Sequence, residues 1–154
     1  MIKMYKSLND FYLFLKKERN FSENTIKSYM TDLNKFKKFL NDDNYDINKI
    51  SRKQIRAFLS SEFDKKFSDR TIARRLASVK SYFKFMVKSE QIHSNPSENI
   101  RSPKIARSLP NFIDQKIIDL LMDSPDENTA IGLRDKAMLE LFYSTGLRLS
   151  ELVS

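Results

Sequence analysis

Apolar positions recur at helical spacing from the N-terminus to about residue 92, in four separate runs. Leu8, Phe11, Tyr12 and Leu15 mark the first. After Ser22 the stripe is Ile26, Tyr29, Met30, Leu33, Phe36 and Leu40; after Ser51 it is Ile55, Phe58 and Leu59; after Ser68 it is Ile72, Leu76, Val79, Phe83 and Met86. Steps of three and four residues turn one face of each segment towards a core, which predicts amphipathic helices rather than strands.

The start signals agree with the periodicity. Phe21-Ser22, Ile50-Ser51 and Phe67-Ser68 each set a serine just ahead of an apolar run. A serine there can accept from the orphan backbone N–H groups of a first helical turn. The apolar residue before it can close over that turn, and Gln54 completes a capping box with Ser51. Four such helices joined by short polar loops predict an all-α fold with a compact four-helix unit over residues 1–92.

From His93 to Pro110 the periodicity stops. Pro96, Pro103 and Pro110 interrupt it, with Arg101, Lys104 and Arg107 between them, so residues 93–110 read as an extended basic linker. Helical patterning resumes over 114–122 and 133–143, inside a last segment of 111–154. The run Ala137–Phe142 is nearly all apolar and predicts burial on most sides. These residues barely supply a partner for it, so the segment is expected to be the opening of a larger, truncated domain.

Composition narrows the classes. Hydrophobic residues make up 40% of the chain, enough for a packed core, and 2 Gly and 4 Pro suit long helices. The absence of Cys excludes disulfides, thiolate metal sites and a cysteine nucleophile, and a lone His93 cannot assemble a zinc site. No cofactor or metal is expected. No apolar run approaches signal-peptide or membrane-span length, so a cytoplasmic protein without membrane association is expected. The net charge of +8 is unevenly spread. Residues 1–108 hold 24 Lys and Arg against 12 Asp and Glu, whereas residues 109–154 hold 4 against 8. A basic unit before an acidic remainder suggests two jobs, the first of them meeting a polyanion.

The basic residues gather on the fourth helix. At about 100° per residue, Arg70, Arg74, Lys80, Lys84 and Lys88 fall opposite the apolar arc, with Ala77 and Ser81 between them. Arg75 lies at the edge of that arc and can reach either way. The only acid, Asp69, stands in the first turn, where it suits the helix dipole. Small residues among cations let a helix approach a phosphate backbone or groove closely. Lys27, Lys35 and Lys38, beside Thr31 and Asn34, repeat the idea more weakly on the second helix. The alternative is a solvated charged face, and a helical protein–protein module stays open with it.

Near the C-terminus stands Leu133-Arg-Asp-Lys-Ala-Met-Leu-Glu-Leu-Phe-Tyr-Ser-Thr-Gly-Leu-Arg-Leu-Ser-Glu-Leu152. Gly146 can end the apolar helix in a left-handed conformation, after which the chain presents Arg148 before a further helix at about Ser150. Taken alone, Arg148 reads as a surface arginine or a local ion pair with Glu151.

This stretch closely resembles the box of the first catalytic arginine in tyrosine site-specific recombinases, the phage integrase family, and particularly its Xer type. The match runs through Arg134, Asp135, Ala137, Thr145, Gly146, Leu147, Arg148, Ser150, Glu151 and Leu152. Thr71-Ile-Ala-Arg-Arg-Leu76, with the Lys-Ser-Tyr-Phe that follows, resembles the same family's SAM-like core-binding domain. The resemblance implies a core-binding domain over 1–92, a linker over 93–110, and the start of a catalytic domain over 111–154. It implies DNA contacts from Arg70, Arg74, Arg75, Lys80, Ser81, Lys84, Lys88, Lys27 and Lys38, and a catalytic Arg148 on the scissile phosphate, with Glu151 in support.

The intact protein would break and rejoin double-stranded DNA through a 3′-phosphotyrosyl intermediate. It would work as a tetramer with other recombinase subunits, in the cytoplasm and associated with the nucleoid. The family's lysine, His-x-x-Arg pair and tyrosine nucleophile find no place here, so these 154 residues are expected to bind DNA without cleaving it. His93 lies in the linker, and Tyr29, Tyr82 and Tyr143 suit core or flank positions. A non-catalytic DNA-binding or regulatory protein derived from a truncated recombinase remains the competing reading.

Overall fold

The computed structural model describes residues 4–40, 46–105 and 112–153, and divides into two compact units, Met1–Ala106 and Arg107–Ser154. Among the described residues every regular element is helical. The first unit is built from α1 (Met4–Leu13), α2 (Glu23–Phe39), α3 (Arg52–Asp64) and α4 (Asp69–Lys88). The starts follow from the local chemistry. Ser22 Oγ accepts from Thr25 N and Ser68 Oγ from Thr71 N, each at 3.3 Å. At α3, Gln54 Oε1 accepts from both Ser51 N and Ser51 Oγ, at 2.7 and 2.6 Å.

The four apolar stripes meet in one core. Phe11, Leu15, Leu33, Phe36, Ile55, Phe58, Ile72, Val79, Tyr82, Phe83 and Met86 are each at most 1% exposed. The long α4 is central, packing against α1, α2 and α3. Tyr82 lies wholly inside, edge-on to Phe11, and its hydroxyl meets Ser7 Oγ at 2.5 Å. Ser7 Oγ in turn donates to the Met4 carbonyl, so the buried phenol end is satisfied. Burial holds the Tyr82 phenol well above the usual tyrosine range, the Ser7 hydrogen bond offsetting this only in part.

Two features depart from the pattern. α1 ends in a π-helical turn, Phe14–Glu18, closed by Arg19 N to Phe14 O at 3.1 Å. The wider turn keeps Leu15 in the core while Phe14 packs at a tilt against Phe85, ring centres 4.8 Å apart. The segment after α4 is non-helical, as its prolines require, yet it is not detached. Ile92 and Ile100 join the core at 7% and 4% exposure, Ser97 is buried, and Arg52 Nη2 donates to Asn99 O at 3.0 Å.

The second unit holds α5 (Gln115–Met122), α6 (Ala130–Thr145) and α7 (Leu149–Leu152). Asp114 caps α5 through Lys116 N, and Thr129 caps α6 through Gly132 N. Gly132 is there because a Cβ would overlap the Asp126 carbonyl. Gly146 ends α6 at φ +66°, the left-handed position expected of it, with its N–H on Phe142 O at 2.9 Å. The burial expected for 137–142 does not occur within this unit. Met138 and Leu141 remain exposed, as do Ile117, Leu120 and Tyr143, although α5 packs against α6.

Candidate nucleic-acid interface

The outward side of α4 holds most of the expected contacts. Ile72, Leu76, Val79, Phe83 and Met86 are turned into the core, which leaves Arg70, Arg74, Lys84 and Lys88 exposed and Lys80 and Ser81 half-buried. Lys80, Lys84 and Lys88 are four residues apart and share one open groove with His93, Ser94 and Asn95, bordered by Glu98. The Lys88 ammonium also lies 5.6 Å from the Phe14 ring, which steadies it over the π turn.

On α2, Lys27 and Lys38 are both exposed but serve different surfaces. Lys27 lines a groove with Asn24, Ser28, Thr31 and, across from α4, Arg74. Lys38 lies in another groove with Lys35, Lys65 and Phe67.

Arg75 corrects the expectation. It is 1% exposed, its Nη1 paired with Glu62 Oε2 and its guanidinium 4.1 Å from the centre of the Phe67 ring. Asp32 Oδ1 stands 3.9 Å from its Nε. Counter-charge and an aromatic face are therefore supplied inside, and from there the side chain cannot reach a phosphate.

Asp32 is the residue that helical spacing did not single out. It is fully buried on α2, where its Oδ2 accepts from Ser78 Oγ at 3.0 Å and from Arg74 Nη1 at 2.5 Å. The Arg74 side chain is about half exposed, so one edge of its guanidinium is tied to a buried carboxylate and the rest faces the Lys27 groove. Asn24, Ser28 and Asp32 were not singled out in the sequence, where they stand as polar residues flanking Lys27 and the apolar stripe of α2.

Arg148 stands in the second unit at the start of α7. Its side chain is 82% exposed. Glu151 accepts from its backbone N at 2.8 Å and from its Nη1 at 3.0 Å. The local ion pair is thus present, and it holds the guanidinium at a helix entrance, on the surface. Among the described residues no cluster of acidic, His or Cys side chains is arranged to hold a metal ion, and no helix is long and apolar enough to cross a membrane.

Comparison with known proteins supplies the family. Residues 8–90 match the phage integrase N-terminal SAM-like domain. A tyrosine recombinase XerC from Natranaerobius thermophilus is 40% identical over 151 residues, 97% of this chain and 50% of that protein. A tyrosine recombinase XerD from Oceanobacillus iheyensis is 39% identical over 150 residues, 96% of this chain and 50% of that protein. The chain therefore spans about half the length of the curated relatives it matches. A lambda integrase dimer bound to a COC′ core site shares the fold, with a TM-score of 0.69 at 17% identity over 96% of this chain and 40% of that one. The matched residues contain all of α2, α3 and α4, and with them the cationic faces just described. The chain belongs to the phage integrase family through its N-terminal SAM-like domain, with Xer tyrosine recombinases as its relatives.

Proposed function

We propose that this chain is the DNA-gripping part of a site-specific tyrosine recombinase, and that α2 and α4 form the surface that meets the duplex. The outward side of α4 carries the reading. It offers Arg70, Arg74, Lys80, Lys84 and Lys88 with one acid on the helix, Asp69 in the first turn. Lys27 adds to it beside Arg74, while Lys38 stands with Lys35 and Lys65 on a separate groove of α2. Such a face neutralises phosphates and releases their counterions, while Ala77 and Ser81 allow close approach.

A whole protein of the relatives' length, about twice that of this chain, would break and rejoin DNA through a covalent phosphotyrosyl intermediate, as a tetramer of recombinase subunits on paired sites. Arg148 would bind the scissile phosphate there. Its planar guanidinium stays charged and presents a fixed fork of donors to the phosphoryl oxygens. Glu151 would yield one edge of that fork and hold the other. Without an activated nucleophile the 154 residues have no means of forming the covalent bond. Incubated with a nicked suicide duplex, the chain is expected to retard the DNA in a native gel and to leave no adduct after denaturation. A protein–DNA band that survives detergent would contradict this.

A further inference from the structure

The groove between α2 and α4, lined by Asn24, Lys27, Ser28, Thr31 and Arg74, is built on a buried carboxylate. We propose that it is a clasp for one DNA phosphate, and that Asp32 is the positioning residue that sets Arg74 in it. The inference deepens the DNA-binding reading above and rests on it. Asp32 is fully buried and takes Arg74 Nη1 and Ser78 Oγ on the same oxygen. A guanidinium has five N–H donors in a rigid plane, so fixing one edge aims the others. Arg74 lines the same groove as Lys27, Asn24 and Thr31, whose ammonium, amide and hydroxyl groups suit a phosphate oxygen. Pre-ordering a long side chain removes part of the entropy cost of binding.

The proposal reverses what charge alone predicts. Removing an acid from beside a DNA-binding face strengthens binding if the acid is only a charge. If Asp32 aims Arg74, Asp32→Ala weakens it. In fluorescence anisotropy with a labelled duplex, the full chain carrying Asp32→Ala is expected to bind about five- to tenfold more weakly. In an Arg74→Ala background the same change is expected to have no effect. Unchanged or tighter binding by Asp32→Ala, or an equal loss in both backgrounds, overturns the assignment. Should Asp32→Ala fail to fold, Arg74→Lys decides. It keeps the charge and the salt dependence but loses the fork, and severalfold weaker binding is expected, with wild-type affinity as the contrary result. Absence of salt-dependent binding in the wild-type chain would instead remove the DNA-binding reading itself.

Discussion

Arg75 and Arg74 are neighbours in sequence with opposite fates, and the difference lies in which helices face them. Arg75 is enclosed by Glu62 of α3 and the Phe67 ring, whereas Arg74 emerges beside Asp32. Removing one partner of a buried pair is costly even though Lys65 stays 3.3 Å from Glu62, so Arg75→Ala is expected to destabilise the fold by about 3 kcal/mol in urea unfolding. An effect within about 0.5 kcal/mol, the range of a surface substitution, would show that Arg75 is not enclosed. Of this pair only Arg75 was legible, as a cation at the edge of the apolar arc of α4; Glu62, which follows Ile55, Phe58 and Leu59 on α3, was not singled out. What periodicity leaves open is the direction of a long side chain at the edge of an arc, because a change of rotamer well, about 120° in χ, decides between core and solvent. Tyr82 is enclosed in the same way, 0% exposed. Its phenol is held above its ordinary value of 10.0, mainly by burial, so it stays neutral in the fold at a pH where the unfolded chain ionises it. That contribution is complete below about pH 10 and is lost as pH rises beyond it. Tyr82→Phe is therefore expected to cost about 1 kcal/mol near neutral pH through the lost Ser7 bond, and to close that gap with wild type between about pH 9 and pH 11. A gap that stays constant with pH would contradict the buried, neutral phenol.

The helices of the first unit were legible because their signals are local. Ser22, Ser51 and Ser68 announce three starts, and each apolar stripe that follows has a single period. Gly146 was legible for the same reason, a helix end needing a left-handed residue. The π turn over Phe14–Glu18 was not, since one wide turn shifts the phase of a stripe by a single residue and leaves no motif. Nor was the docking of residues 92–100. Prolines declare that a segment is not helical, but they do not say whether it packs, and Ile100 is one apolar residue among polar ones. The docking is testable: Ile100→Ala is expected to lower the stability of the first unit by about 2–4 kcal/mol, read from the urea midpoint at constant slope. An extended linker would tolerate the change with no shift. In the second unit, α5 and α6 were legible as helices while the burial of α6 was not met, because hydrophobicity specifies that a face wants cover and not which element provides it.

Across the whole chain the division of charge parallels the division into units. The first compact unit holds the cationic surfaces of α2 and α4, and the acidic remainder falls in the second, around α5, α6 and Arg148. The family was legible from two short stretches, around Thr71–Leu76 and around Arg148, and the match over residues 8–90 with XerC and XerD relatives near 40% identity places the chain in it. The candidate DNA surface was legible as a cationic arc on the fourth helix, repeated more weakly by Lys27, Lys35 and Lys38 on the second. Its construction from two helices over a buried carboxylate was not, because pairing α2 with α4 is a tertiary event that no single period encodes. Whether this surface grips duplex DNA through its phosphates is read from the salt dependence of binding. Titrating a labelled duplex at several salt concentrations is expected to give log K falling linearly with log salt, at a slope of about −4 to −6 for roughly five to seven phosphates neutralised. Replacing Lys80, Lys84 and Lys88 with Ala together is expected to make that slope shallower by about 3. A wild-type slope near zero would contradict the account.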